Sequence, residues 1–201
     1  MITDLSFVKA NLPKIKEDAH KYSKGYGVIF AGSCLMAGAA ILCSKAALKS
    51  GAGIVRLVVP ESIYPVCASA LPEVVYSILG SEVDISKCGA VLFGCGIGQG
   101  ETAENTLLSL LDICQKPLLI DADGINILSK HIDILRSKKC PVVLTPHIGE
   151  MSRLTGLGSE YISNNRERTA KDFAKEYGVT LLLKGKDTVI ASPDGEVYVN
   201  P

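Results

Sequence analysis

Charged side chains follow several apolar runs of the sequence, and their types suit phosphate and hydroxyl chemistry. Asp121 and Asp123 follow the apolar run 117–120, where carboxylates could hold a metal ion or a hydroxyl group. Lys184 and Lys186 follow another such run, and lysines in that place suit a polyphosphate. Together these residue types indicate a site for an anionic ligand.

Both pairs also have a structural interpretation. Asp123 could cap a helix predicted just after it, and we expect this role for Asp123 and a functional role for Asp121. Residues 184–188 could form an ordinary hairpin turn with solvated lysines. For this segment the turn and the phosphate site stay open as alternatives.

A histidine and a glutamate lie close together after the apolar run 141–144. His147 and Glu150 are three residues apart in one short polar segment. A single histidine is more often structural, but a carboxylate beside it at the end of a strand favours a functional role.

Small residues follow two further apolar runs. Four alternating glycines follow the run 90–93, and a dinucleotide or phosphate could approach such a loop, although the spacing is not G-x-G-x-x-G. Gly32 and Ser33 follow the first run, and Ala37-Gly38-Ala39 opens a helix whose N–H groups could face an anion. Tight packing of helix on strand explains these small residues equally well.

The elements that position these residues alternate along the chain. Apolar runs of four to six residues predict strands buried on both faces. The predicted strands are 28–31, 54–59, 90–93, 117–120, 141–144, 179–183, 188–191 and 196–199. Helices are expected between them, giving an α/β fold in three α/β/α layers with a mostly parallel central sheet. Ligands of such sheets bind beyond the carboxyl ends of the strands.

Three helices have recognisable signals. A helix over about 38–50 is apolar nearly all round, which predicts a central position. A stripe of apolar residues begins at Ala103. Asn164 and Glu167 resemble a capping box for a helix that Gly178 ends.

Composition excludes several classes of protein. The 201 residues carry 21 Lys+Arg and 21 Asp+Glu, so a basic nucleic-acid-binding surface is not expected. Seven cysteines without a C-x-x-C pair indicate reduced thiols and a cytoplasmic protein. Residues 25–44 are uncharged, but their four glycines favour a strand, turn and helix over a membrane span.

Taken in order, these segments resemble the NAD(P)H-hydrate dehydratase family, which has the ribokinase-like fold. The resemblance covers the chain from about Lys24 to its last residue. The segments that carry it are Lys24-Gly25-Tyr26-Gly27, Ala31-Gly32-Ser33, Gly38-Ala39-Ala40, Ala47-Leu48-Lys49-Ser50-Gly51-Ala52-Gly53, Leu71-Pro72-Glu73, Gly94-Cys95-Gly96, Asp121-Ala122-Asp123, Leu144-Thr145-Pro146-His147-Ile148-Gly149-Glu150, Leu183-Lys184-Gly185, Pro193-Asp194-Gly195 and Val199-Asn200-Pro201.

The resemblance implies repair of hydrated NADH and NADPH with ATP or ADP and Mg²⁺. The ring hydroxyl would be phosphorylated, and loss of phosphate would restore the nicotinamide. It assigns the hydrated dinucleotide to Ala39, Gly96 and His147, with Asp121 included in that site, and a water-mediated Mg²⁺ to Glu150. It assigns the adenine nucleotide to the five residues Lys184, Gly185, Lys186, Asp187 and Thr188. A homo-oligomer is also implied, with no nucleic acid and no membrane as partner.

The sequence departs from the family at one motif. Family members have a G-[TS]-G-D segment that supplies an anion hole and the general-base aspartate, and the 201 residues contain no such segment. We therefore expect an N-terminal arm or helix over 1–24 and an incomplete ribokinase-like domain over 25–201, shortened at its C-terminus. The alternatives are a small-molecule kinase of the same superfamily and a non-catalytic nucleotide-binding module.

We expect these 201 residues alone to show no dehydratase turnover, because the general base and anion hole of the family are missing from them. Incubation of the purified chain with hydrated NADH, ATP and Mg²⁺, followed by NADH absorbance, measures this. Steady formation of NADH above the enzyme-free rate would contradict the expectation.

Overall fold

A nine-stranded sheet forms the centre of the computed structural model, which describes residues 1–13 and 24–201. The strands are β1 (Tyr26–Phe30), β2 (Ile54–Val59), β3 (Val75–Ile78), β4 (Ala90–Phe93), β5 (Leu118–Ile120), β6 (Val142–Leu144), β7 (Thr180–Leu183), β8 (Thr188–Ala191) and β9 (Val197–Asn200). Their order across the sheet is β3-β2-β1-β4-β5-β6-β7-β8-β9.

Eight α-helices of the described residues connect or flank these strands. They are α1 (Leu5–Asn11), α2 (Ala37–Lys49), α3 (Tyr64–Ala70), α4 (Glu101–Ile113), α5 (Asp123–Leu128), α6 (Ile148–Thr155), α7 (Ser159–Asn164) and α8 (Arg166–Tyr177). Short 3₁₀ turns occur at Glu61–Ile63 and Ile132–Arg136.

Strand direction is uniform from β3 to β7 and then alternates over β8 and β9. From β3 to β7 every neighbouring pair is parallel, whereas β8 and β9 run antiparallel to their neighbours. The parallel part needs helical crossovers, and the β7–β8 connection needs only a short turn. The predicted α/β class and mostly parallel sheet are therefore confirmed.

Alternation along the strands divides the core between two faces. In β1, Val28 and Phe30 belong to one buried cluster and Ile29 to the other, because successive side chains point to opposite sides of the sheet. The larger cluster lies under α4, α5, α6 and α8, and the smaller one lies under α2 and α3.

The prediction that all strands are buried on both faces is wrong for the second half of the sheet. Leu119, Val143, Leu182 and Ile190 are only half-buried, while their neighbours along the same strands are fully buried. The reason is that α2 and α3, which cover that face, pack over β1, β2 and β3.

Helix α2 is also less central than its composition predicts. Only Ala40 and Ser44 of this helix are buried, and Leu42 is 69% exposed. Because apolar residues occur nearly all round this helix, its sequence does not show which face is buried. In the structure just one face of α2 packs on the sheet.

Two predicted features at helix and strand ends are corrected. Asn164 is the last residue of α7, and α8 begins after Asn165 without a side-chain cap, so the predicted capping box with Glu167 does not form. Gly178 does end α8, in a left-handed conformation with φ of 60°. Strand β3 was not predicted, because the strand is only four residues long and its sequence includes a polar serine.

The N-terminal residues pack on the antiparallel edge of the sheet. Ile2 forms a parallel bridge with Val199, and the Phe7 ring of α1 lies 5.7 Å from that of Tyr198. The predicted arm or helix over 1–24 thus includes α1, and its residues 14–23 lie outside the described residues.

Within residues 1–13 and 24–201, no helix has both the length and the apolar character that crossing a membrane requires. The uncharged residues 25–44 instead contain β1, a turn and the first half of α2, as their glycines predict.

Backbone contact at the end of β4 depends on one glycine. Gly94 has a φ of +126°, and a Cβ atom there would lie 2.0 Å from the Asp121 carbonyl oxygen and 2.7 Å from the Gly124 nitrogen. Neither backbone atom can move without displacing the turn between β5 and α5.

We expect Gly94→Ala to lower the free energy of unfolding by about 3 kcal/mol or more, because the clash is with backbone. The control is Gly98→Ala, where φ is +78° and no atom lies within 4 Å. Its cost is the backbone conformation alone, about 1 kcal/mol. Urea unfolding measures both, and equal losses in the two variants would contradict this account.

Candidate functional site

Five loops meet at the carboxyl edge of the parallel strands. They follow β1, β4, β5, β6 and β7, and the candidate site residues lie in these loops or in the first residues of the helix or strand that follows each loop. The chain order reverses between β1 and β4, where open α/β sheets form a crevice. Across this crevice the Gly32 N–H donates to the Cys95 carbonyl at 2.9 Å.

Lys184 and Asp121 form an ion pair at the middle of this edge. The Lys184 Nζ donates to Asp121 Oδ1 at 2.7 Å, although the two residues are far apart in the sequence. Both side chains are partly exposed, at 41% and 25%, so a ligand can reach the pair. The lysine that follows β7 and the carboxylate that follows β5 therefore belong to one site.

Asp121 also supports an unusual turn. Its Oδ1 accepts from the backbone N–H of Ala122 at 2.9 Å, and Ala122 has a positive φ of 52°. A non-glycine residue in this conformation is uncommon and marks a constrained loop. The turn aims the carboxylate across the edge toward Lys184.

Asp123 has a different role from the predicted helix cap. Ala122 is the residue that precedes α5, and Asp123 is the first residue within the helix. Its Oδ2 accepts from the Gly98 N–H at 3.0 Å, in the glycine-rich loop after β4. Asp123 thus ties that loop to α5, because the loop folds back over the start of the helix.

His147 and Glu150 form a capping box at the start of α6. The His147 Nδ1 accepts from the N–H groups of Gly149 and Glu150 at 2.9 and 3.2 Å, and Glu150 Oε2 accepts from the His147 N–H at 2.8 Å. The imidazole stays half-exposed, whereas the Glu150 carboxylate is buried. The pair therefore has a structural function in addition to any contact with a ligand.

The buried Glu150 carboxylate extends the ion pair. Its Oε2 lies 3.9 Å from Lys184 Nζ, so this one ammonium group faces the carboxylates of both Asp121 and Glu150. Two negative charges around one positive charge leave the centre of the site with a net negative charge.

Ala39 and Gly96 lie against each other on the other side of the crevice. Gly96 has a φ of +66°, and a Cβ atom there would lie 2.8 Å from the Ala39 Cβ. Small residues thus let the loop after β4 rest directly on the first turn of α2. The two residues that the resemblance assigns to one ligand are neighbours.

Residues 184–188 form the turn of the β7–β8 hairpin, but the two lysines differ. Lys184 is paired with carboxylates, and Lys186 is exposed. The turn is closed by Thr188, whose Oγ1 donates to the Gly185 carbonyl at 3.0 Å. The predicted hairpin turn is therefore present, and the phosphate site at its lysines stays a prediction.

A cavity of about 480 Å³ lies beside this hairpin. Its lining includes Lys186, Asp187 and Arg166. Arg166 donates to the Leu183 carbonyl at 2.8 Å, and its Nε is buried without a partner among the described residues. Sequence reasoning missed Arg166, because its distance along the chain gives no sign that it touches this turn.

A thiol also lies at the site. Cys95 Sγ is 4.0 Å from Asp121 Oδ2, and Cys95 and Cys43 of α2 both pack against the smaller buried cluster. Both side chains are partly exposed. The contact of Cys95 with Asp121 depends on the pairing of β4 with β5, which no local pattern shows.

The carboxylates suit Mg²⁺ only in company with other ligands. In the part of the chain that the structure describes, no group of three or more His, Cys, Asp or Glu side chains is placed to hold a metal ion. Asp121 and Glu150 supply hard oxygen donors, and Mg²⁺ is commonly held by one or two carboxylates with waters and phosphates. The residues fit such a shared site.

Comparison with known proteins agrees with this geometry. The profile of the NAD(P)H-hydrate dehydratase family matches residues 27–201. A bifunctional NAD(P)H-hydrate repair enzyme of Thermofilum pendens is 36% identical over 203 residues, which include 94% of this chain and 39% of that protein. An ADP-dependent (S)-NAD(P)H-hydrate dehydratase of Neisseria meningitidis is 34% identical over 188 residues, with coverages of 92% and 64%.

A solved structure has the same fold. The ADP/ATP-dependent NAD(P)H-hydrate dehydratase from Bacillus subtilis, co-crystallised with ATP/Mg²⁺, superposes with a TM-score of 0.86 and 29% sequence identity. The match covers 100% of this chain and 72% of that chain. The chain spans about two fifths of the length of the bifunctional relatives that it matches.

We expect His147→Ala to lower the free energy of unfolding by about 1 kcal/mol, because two N–H groups of α6 lose their acceptor. His147→Asn should restore most of this loss, since an asparagine side chain can cap the same helix. Urea unfolding of the three proteins measures this. The capping role is wrong if the asparagine variant is as unstable as the alanine variant.

Proposed function

Because the chain belongs to the NAD(P)H-hydrate dehydratase family, we propose that it binds hydrated NADH or NADPH together with ATP or ADP. The reaction that it serves is ATP- or ADP-dependent dehydration: the ring hydroxyl is phosphorylated, and elimination of phosphate restores the nicotinamide. One contact carries this proposal. The Lys184–Asp121 ion pair joins the segment assigned to the nucleotide with a residue assigned to the dinucleotide.

The nucleotide side of the site is the β7–β8 turn. Lys184 and Lys186 supply positive charge, and the cavity beside Asp187 has room for a ligand. Gly185 has a φ of +155°, and a Cβ atom there would lie 2.7 Å from the Arg166 guanidinium, so this guanidinium packs on the turn and adds positive charge beside the two lysines. Thr188 closes the turn and keeps Lys184 and Lys186 on the same edge.

The dinucleotide side is the crevice between β1 and β4. Ala39 and Gly96 contact each other there and have no long side chain of their own, and the Met36 side chain lies beside Gly96. His147 presents a half-exposed imidazole from the loop after β6. Asp121, between these groups, offers a carboxylate to a ligand hydroxyl.

Lys184 has a specific part in bringing the two ligands together. In the free protein its ammonium is neutralised by Asp121 and faces Glu150. A phosphate that arrives at the turn competes for the same ammonium, and Asp121 is then released toward the dinucleotide. Exchange of one ion pair for another keeps the lysine charged and oriented throughout.

Mg²⁺ belongs to the nucleotide in this proposal. Glu150 would hold it through water, with Asp121 as a second nearby carboxylate, and the ion would neutralise phosphate charge during transfer. The capping box already orients the Glu150 carboxylate, because one of its oxygens accepts from the His147 N–H.

The proposal also includes a cytoplasmic location and a homo-oligomer. All seven cysteines are free thiols, which suits a reducing compartment. Leu35, just before α2, is 93% exposed, and Leu42 on α2 is 69% exposed. Exposed apolar patches of this kind often mark subunit contacts.

We expect Lys184→Met to weaken ADP binding by about tenfold, because one charge-assisted hydrogen bond to phosphate is lost. Isothermal titration calorimetry with ADP and Mg²⁺ measures the affinity. The matched control is Lys139→Met. Lys139 precedes β6 and therefore lies at the opposite edge of the sheet, and its Nζ is 2.9 Å from Asp112 Oδ1. Unchanged affinity in Lys184→Met, or an equal loss in both variants, would refute the assignment.

A further inference from the structure

One side chain from a helix spans the β7–β8 turn. Arg166 is the first residue of α8. Its Nη2 donates to the Leu183 carbonyl at 2.8 Å and, in a longer contact, to the Asp187 carbonyl at 3.5 Å. Leu183 ends β7 and Asp187 directly precedes β8, so a single guanidinium joins the two ends of the turn.

The same guanidinium occupies the space that a side chain at position 185 would fill. A Cβ atom on Gly185 would lie 2.7 Å from Nη1, 3.0 Å from Nη2 and 3.1 Å from Cζ of Arg166. Three atoms of the planar group are this close because position 185 has no side chain. The glycine of the turn therefore serves the contact with Arg166 as well as its own φ of +155°.

The turn has a backbone that needs support from outside. Asp187 has a positive φ of 53°, a conformation that is unfavourable for a residue with a side chain. At the other end of the turn, the Lys184 N–H donates to the Pro146 carbonyl at 2.8 Å and fixes the first residue. Arg166 extends this support to the far end, because one of its two hydrogen bonds is to Asp187 itself.

We propose that Arg166 is a positioning residue for the adenine nucleotide, which holds the β7–β8 turn so that Lys184 and Lys186 face the phosphates. Because the turn is the nucleotide side of the site in the function proposed above, this role rests on that proposed function. The Nη2 group of Arg166 is engaged by two backbone carbonyls. Arg166 thus acts through the turn, and the two lysines make the contact with phosphate.

Two substitutions separate position from charge. Arg166→Lys keeps the positive charge, but a single ammonium lacks the planar group that packs on Gly185 and the fixed geometry of its donors. Arg168→Met removes an equal charge from the lining of the same cavity. The Arg168 side chain is 75% exposed, and its Nε lies 3.6 Å from Asp172 one turn further along α8. Its loss therefore leaves the Arg166 contacts in place.

The first measurement uses the free protein and follows amide hydrogen exchange by nuclear magnetic resonance. In Arg166→Met we expect the Lys184 amide to exchange about tenfold faster, because the turn is less firmly held against the Pro146 carbonyl. The reference is the Leu118 amide of β5, which donates to the Pro141 carbonyl at 2.9 Å and should keep its rate. Equal acceleration of both amides would show a loss of overall stability and would contradict a local role.

The second measurement is calorimetric titration with ADP and Mg²⁺. We expect Arg166→Met to weaken binding by about tenfold and Arg166→Lys by nearly as much. Arg168→Met should weaken binding by about twofold or less, because an exposed charge contributes little. In a chain that already carries Lys184→Met, adding Arg166→Met should cost less than about threefold, since the lysine that it positions is gone. Circular dichroism checks that each variant is folded.

Several results would overturn the positioning role. Arg166→Lys could bind ADP as tightly as the unsubstituted chain, or the losses from Arg166→Met and Lys184→Met could multiply in the double variant. If the unsubstituted chain binds ADP and Arg166→Met binds it equally well, the positioning role is wrong and the proposed function stands. If the unsubstituted chain does not bind ADP, both are wrong. Should Arg166→Met fail to fold, Arg166→Lys decides through the same two measurements.

Discussion

Parallel pairing of the strands from β3 to β7 is the constraint on which the site depends. Parallel strands present all their carboxyl ends at the same edge, so the loops after β1, β4, β5, β6 and β7 have no other place to lie. The register brings Asp121 and Lys184 within 2.7 Å although two strands and several helices separate them in the chain. A slip of one residue in any of these pairings would turn the core side chains to the wrong face.

Opposite charges meet at this edge of the sheet. Lys184 faces Asp121 and the buried Glu150, and Glu150 is itself held by the backbone of His147. In the proposed function the lysine passes from carboxylate to phosphate, and Asp121 becomes available to the dinucleotide. Positive charge for the phosphates is local, at Lys184 and Lys186 of the β7–β8 turn, so the proposal needs no net positive charge of the whole chain.

The two faces of the sheet are covered unequally. Helices α4, α5, α6 and α8 bury one face, whereas α2 and α3 leave Leu119, Val143 and Leu182 half-buried on the other. The same α2 places Ala39 against Gly96, so a helix with only two fully buried residues also forms one wall of the candidate crevice. Its small residues are explained by close approach to the glycine-rich loop.

Local patterns in the sequence determined most of the strands, the α/β class and the loops that carry the site. Runs of β-branched residues are dictated by burial, and polar residues at strand ends are detectable without knowing which strands are neighbours. Short signals were less informative: the predicted cap at Asp123 holds the glycine-rich loop instead, and a half-exposed β3 gave no apolar run.

Tertiary structure alone decided which of these residues meet. The Lys184–Asp121 pair, the contact of Arg166 with the β7–β8 turn and the contact of Cys95 with Asp121 all join residues far apart in sequence. Each contact depends on strand order and helix placement, which are set by packing summed over the whole core. A local sequence pattern contains the residue types, and only the folded chain contains the distances between them.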